Sequence, residues 1–164
     1  MSLGLIMKLF HVLAAFGLIA GAVGRNITFG QAAKTANLRS VFDLLQLSQS
    51  FERWLFFPAY GAVFLFGLVT AWLQGWPILG FLQGATANWL LVSLLVWLGL
   101  GLVVPVYLGP RGKQRAAVVE EARAQGTITP ELTAALNDKV VATIRNIELF
   151  GFGVIIILMV TKPF

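Results

Sequence analysis

The sequence predicts an all-α fold, an integral membrane four-helix bundle with cytoplasmic helical extensions, with residues 1–164 forming one four-span domain. Three observations predict it. Four apolar stretches lie at about residues 3–24, 54–74, 88–108 and 142–161, with charge-bearing segments between the first and second and between the third and fourth. Each is near the ~20 residues that a helix needs to cross a ~30 Å hydrocarbon core. Charged residues make up only 12% of the chain, half the ~25% usual in a soluble domain, as expected of a chain solvated largely by lipid. The third observation is the uneven placement of lysine and arginine, which sets the orientation.

The first span, 3–24, reads as retained. Ala20-Gly21-Ala22 would suit a small-residue cleavage site, but Leu3, Leu5, Ile6 and Met7 make the region before Lys8 apolar, unlike the cationic start of a signal peptide. Segment 31–52 carries Val41, Leu44, Leu45 and Leu47 among polar residues, the pattern of an interfacial helix running into the second span. Pro58 falls in the first turn of that span and reads as punctuation. The middle loop, 75–87, has no charged residue. It is expected in the outer headgroup layer, with Trp72, Trp76 and Trp89 as an aromatic belt. Pro105 reads as punctuation near the end of the third span. Segment 111–125 is rich in Ala, Glu and Arg; Gly126 stops it, Thr129 caps the next helix and Pro130 takes its first position. From Pro130 the chain is expected to run unbroken into the fourth span, so that a helical hairpin projects from the membrane.

Of the twelve Lys/Arg residues, only Lys8 and Lys162 lie outside the two basic regions, which hold Arg25, Lys34, Arg39 and Arg53, and Arg111, Lys113, Arg115, Arg123, Lys139 and Arg145. The positive-inside bias assigns those two regions to the cytoplasm of a bacterial inner membrane, and both termini to the outside. The net charge of +5 is this loop bias, and no basic–aromatic module accompanies it, so nucleic acid is not an expected partner. The expected surroundings are the lipid bilayer and membrane-protein partners or a second copy of the chain. The absence of cysteine excludes disulfides, zinc ribbons, iron–sulfur clusters and thiolate catalysis. Residues 109–113, G-P-R-G-K, lack the spacing and preceding strand of a phosphate loop.

His11, the only histidine, lies two turns into the first span, and an ionisable group at that depth defaults to a functional hypothesis. A small-residue stripe, Ala14, Gly17, Gly21 and Gly24, runs beside it and allows a close helix neighbour, so His11 is expected to face the bundle. It serves either as a neutral interhelical hydrogen-bonding group or as a ligand. With one histidine available, methionine is the remaining soft donor. Met1, Met7 and Met159 all fall toward the outward side. His11 with Met159 forms a conceivable axial pair for haem b, and Met7, His11 and Met159 would suit Cu(I). Met is equally an ordinary apolar filler. Arg145 and Glu148, three residues apart, are expected to neutralise each other on one helix face. No chain of carboxylates crosses the spans, which argues against a pump.

The opening Lys8-Leu9-Phe10-His11-Val12-Leu13-Ala14-Ala15 and the closing Met159-Val160-Thr161-Lys162-Pro163 resemble a bacterial family of four-span integral membrane proteins of unknown function, which begin K-x-x-H-V-x-A and end M-V-x-K-P. The likeness extends over essentially the whole chain. The opening is also similar to that of copper-resistance D type membrane proteins and membrane-bound four-helix protoporphyrinogen oxidases, in which an early-span histidine and haem are implicated. Only His11 has a counterpart here. The oxidases also need a lysine in a later span, and spans two and three contain none, which argues against that activity. The expectation is a small membrane protein, non-catalytic alone, serving as an accessory subunit of a larger complex or binding haem b through His11. A Cu(I)-binding or transport-related protein is the alternative.

Overall fold

The structure, a computed structural model, describes residues 2–163; Met1, one of the three methionines on the outward side, lies outside them. Among the described residues every regular element is helical: α1 (Leu3–Ala32), α2 (Leu38–Ser50), a π-helical turn (Phe51–Phe56), α3 (Phe57–Leu73), a short 3-10 turn (Gly80–Gln83), α4 (Trp89–Gln125), α5 (Pro130–Leu136) and α6 (Lys139–Thr161). They make four stretches long and apolar enough to span a bilayer, Leu3–Ala32, Leu38–Leu73, Trp89–Gln125 and Pro130–Thr161.

The helices depart from the expected boundaries in instructive ways. α1 continues past residue 24 to Ala32, because nothing in 25–31 caps or breaks it except the lone Gly30. Asn37 then caps α2 by accepting from the Ser40 N–H. The π-turn lies just before Pro58: its wider winding lets Phe57 donate to the Glu52 carbonyl five residues back, easing the clash a proline ring makes with the preceding turn. Neither Pro105 nor Pro110 ends α4, which passes through both as one helix of 37 residues, ~56 Å long. In a bilayer, neighbouring groups re-satisfy the freed carbonyls. Conversely, the expected unbroken helix from Pro130 is interrupted at Asn137, and Asp138 caps α6 by accepting from the Val140 N–H. The predicted stop at Gly126, in the left-handed region at φ 68°, and the Thr129 cap on the Leu132 N–H both appear.

Two antiparallel helix pairs make the bundle. α1 lies against α3 and the π-turn, and α4 against α6. The glycine stripe of α1 sets the first contact: a Cβ at Gly21 would lie 2.8 Å from the Phe56 backbone nitrogen, and one at Gly24 2.8 Å from the Phe51 ring. Gly151 of α6 has the same role toward Leu100 of α4. The pairs are joined by aromatics. Tyr60 stacks on Trp97 with ring centroids 4.0 Å apart and donates its hydroxyl to the Trp97 carbonyl at 3.0 Å. Phe56 and Phe152 close the cluster around Leu18, Ala22, Val63 and Leu100. Beyond one end of the spans a second apolar core holds Phe29, Val41, Leu45, Ala122, Leu132, Leu136 and Val141. The ends of α1 and α4 and the whole of α2 and α5 thus fold into a head.

At the opposite end, the Lys162 ammonium sits over the Trp76 ring at 4.2 Å and the Trp89 ring at 5.4 Å, fixing the end of α6 to the start of α4. Large apolar residues such as Phe16, Leu65, Leu102 and Phe150 point outward around the spans. The chain exposes 9794 Å², whereas a compact soluble protein of this mass exposes about 8,000 Å². An elongated, outwardly apolar bundle of this kind is a multi-pass membrane protein.

Candidate functional site

Two places carry the polar chemistry of the bundle. The larger is a charged layer between the two apolar cores. Arg25 of α1 and Glu148 of α6, 123 residues apart in sequence, form a buried ion pair through Arg25 Nη2 and Glu148 Oε2; the two residues are 1% and 2% exposed. Glu52, delivered by the π-turn, reaches Arg25 Nη1 at 3.5 Å. The Arg25 guanidinium also lies over the Phe56 ring at 4.5 Å. Its backbone carbonyl accepts from the Ser48 hydroxyl of α2 at 3.1 Å, so three elements converge on this one residue.

Arg145 and Arg115 complete the layer. Their guanidinium carbons lie 4.2 Å and 4.8 Å from the centroid of the Phe29 ring. The expected Arg145–Glu148 pair does not form: Glu148 is bonded by Arg25, and Nε and Nη1 of Arg145 are buried without a hydrogen-bond partner. Helical side chains lean toward their N-terminus, which carries the long Arg145 side chain toward the head and away from Glu148. Nearby, Arg111 Nε pairs with the Asp138 cap at 3.1 Å. Arg25, placed by sequence in a loop, is the residue that sequence reasoning missed. The available signal was the want of any break after it, together with a deep acid on another span requiring a counter-charge.

The second place surrounds His11. It faces into the bundle, toward α3, and its Nδ1 lies 2.9 Å from the Val63 carbonyl oxygen. Since a carbonyl only accepts, Nδ1 carries the proton in that bond and Nε2 keeps the lone pair. Gly67 makes room for the ring: a Cβ there would be 3.0 Å from His11 Cε1. Phe10 stacks on Phe66 alongside, with centroids 5.4 Å apart. Met7 is one turn earlier on α1 and half-buried, and Met159 is half-buried on α6. The structure thus brings His11 to Val63 and Gly67 of α3, and keeps Met7 on its own helix and Met159 on the other helix pair. Among the described residues no group of three His, Asp or Glu side chains converges to hold a metal ion.

No curated protein and no solved structure gives a match to this chain. Residues 5–163 match the family described as Predicted integral membrane protein (DUF2269). With the match running nearly end to end over a four-span bundle of this length, the chain belongs to that family.

Proposed function

We propose that this chain is a non-catalytic accessory subunit of a larger complex in the bacterial inner membrane, with its basic head in the cytoplasm and both termini outside. One observation carries the reading. Only 6% of the apolar window of α1 is buried, against 28–33% for the other three spans. α1 packs on α3 along its glycine stripe and leaves Leu9, Leu13, Phe16 and Ile27 outward. A span that packs mainly along one face, against α3 and the π-turn, and is continuous with a folded head is placed to receive a partner's transmembrane helix. The head's basic residues support the orientation. Cysteines introduced at Gly84 and Thr127 test it: in intact spheroplasts an impermeant maleimide should label the first and spare the second, and the reverse pattern refutes the topology. For the assembly, the chain solubilised from its native membrane should migrate in native gels as a larger species than the purified chain. A tryptophan at Leu13 should shrink that species, and unchanged migration refutes the α1 face.

A second reading, haem b binding through His11, is favoured by the bond to Val63. Ligating histidines characteristically donate their other ring N–H to a carbonyl or carboxylate, which leaves the lone pair on the remaining nitrogen. Met159 is a compatible second ligand in depth: counting from the Arg25–Glu148 pair on antiparallel helices, it stands ~16 Å along α6 and His11 ~21 Å along α1. Lys8, one turn nearer the surface, would meet a propionate. Haem, when bound, supplies a one-electron couple. The alternative occupant of Met7, His11 and Met159 is Cu(I). A reduced-minus-oxidised spectrum and metal analysis of the purified protein test both, with His11→Ala expected to abolish the signal. A colourless, copper-free protein refutes this reading and leaves His11 as an interhelical bond.

A further inference from the structure

The charged layer contains more positive charge than its own acids balance. Arg25, Arg115 and Arg145 face Glu52 and Glu148, while Asp138 is taken by Arg111. The excess is one positive charge, and because both acids pair with Arg25, neither Arg115 nor Arg145 is in an ion pair; Arg145 is only 6% exposed, and its Nε and Nη1 have no partner. Nε of Arg25 is buried and unpartnered as well. A buried guanidinium with open donors is costly unless an anion satisfies it, and the Phe29 face offers a cation–π contact but no hydrogen-bond acceptor.

The placement selects the anion. From Leu3 to Arg25 α1 rises ~33 Å, and from Arg145 to Thr161 α6 rises ~24 Å. The layer therefore lies at the boundary of a ~30 Å hydrocarbon core, the depth of lipid phosphodiesters. Sharing one ring, the guanidinium carbons of Arg115 and Arg145 lie within about 9 Å of each other. A tetrahedral oxyanion bridges guanidinium carbons about 8 Å apart through N–H···O bonds of ~2.9 Å. Access extends as far as Arg115. Arg115 lines a cleft of ≈ 390 Å³ between α4 and α5, whose wall includes Val141, one turn before Arg145. The acids on that cleft are Asp138, held by Arg111, and the exposed Glu131.

We propose that Arg145 and Arg115, backed by Arg25, form a binding site for a phosphate oxyanion at the membrane boundary, supplied by an acidic lipid headgroup or by free phosphate. The test uses the full chain, purified in a neutral maltoside detergent and stripped of lipid. Dioctanoyl phosphatidylglycerol, dioctanoyl phosphatidylcholine and inorganic phosphate are titrated separately, with thermal stability and native mass spectrometry as readouts. Saturable one-to-one binding of the glycerol lipid, with a Tm rise of about 5 °C near saturation and a weaker response to the choline lipid, identifies the headgroup. An equal response to inorganic phosphate identifies the free ion. Arg145→Gln should weaken binding ~10–100-fold, the loss of one charge-assisted hydrogen bond or more. Arg115→Gln, at a half-exposed position that tolerates change, should weaken it too if Arg145→Gln fails to fold, and Arg39→Gln on the exposed surface of α2 should not. Absence of saturable binding to the unaltered chain overturns the proposal. So does wild-type affinity in whichever of the two layer variants folds.

Discussion

Glu148→Ala is the sharpest perturbation of the layer. Removing the carboxylate strips Arg25, 1% exposed, of its buried partner and leaves it only Glu52, 3.5 Å away and partly solvated. Breaking one side of a buried ion pair costs about 3–5 kcal/mol, most of it the penalty of the orphaned charge. Glu148→Gln keeps an acceptor oxygen for Arg25 but loses its charge, so its cost is lower, about 1.5–3 kcal/mol. The Arg25→Met/Glu148→Leu double variant removes both buried charges and fills the space with apolar atoms, which is often neutral or stabilising. The assay is reversible unfolding in mixed micelles, followed by far-UV circular dichroism against the mole fraction of dodecyl sulfate. The order expected is Glu148→Ala least stable, then Glu148→Gln, with the double variant above the sum of its single changes by about 2 kcal/mol or more. Strict additivity, or a Glu148→Ala cost under about 0.5 kcal/mol, would refute the buried pair and the packing that encloses it.

Gly21→Ala should destabilise the bundle and weaken the α1–α3 contact in the same assay, because its Cβ meets the Phe56 backbone nitrogen at 2.8 Å and backbone cannot turn aside. Gly30→Ala on the same helix meets nothing within 4 Å and should stabilise by up to ~1 kcal/mol; equal effects of the two would contradict the stripe. His11→Ala removes one interhelical hydrogen bond and should cost about 0.6–1.7 kcal/mol, and a neutral result would mean that the Val63 bond does not form in the membrane. Phe29→Leu removes the ring that both Arg115 and Arg145 contact, an expected loss of about 1–3 kcal/mol, with protease sensitivity of the head as a second readout. Asp138→Ala removes both the α6 cap and the Arg111 partner; a cost of about 1 kcal/mol should appear as faster amide exchange at Val140 and Val141.

The architecture is legible where a local signal suffices. Span length follows from the width of the bilayer, the hairpin from Gly126 and Thr129-Pro130, and a close neighbour for α1 from Gly17, Gly21 and Gly24, though not which helix supplies it. Each depends on residues within a few turns of one another. The failures share one cause, which is that a local rule was applied where the environment decides. Proline ends helices in water, yet α4 runs through Pro105 and Pro110, because apolar surroundings leave the backbone no better partner than itself. Asn137-Asp138 carries no glycine or proline, yet it breaks the path from α5 to α6, because an aspartate cap competes well wherever water reaches.

The site is less legible for a different reason. Periodicity told that His11 faces a neighbour, since the glycine stripe beside it marks the interface, but it gave no sign that the neighbour's carbonyl was Val63's. The charged layer required knowing which charges on separate spans share a depth. Counting inward from each helix end does not supply it: Arg25 is 22 residues from the start of α1 and Glu148 is 13 from the end of α6, ~33 and ~20 Å along their helices, so only the packing of the two helices shows that they meet. Reading Arg25 as a loop charge hid that match, and the spacing rule then assigned Glu148 to Arg145 on its own helix. A deep carboxylate in a membrane protein should be paired first with a cation at its own depth on another span, because desolvation penalises both until they meet. Applied here, that rule pairs Glu148 with Arg25 and leaves Arg145 without a carboxylate, which is the residue on which the anion site depends.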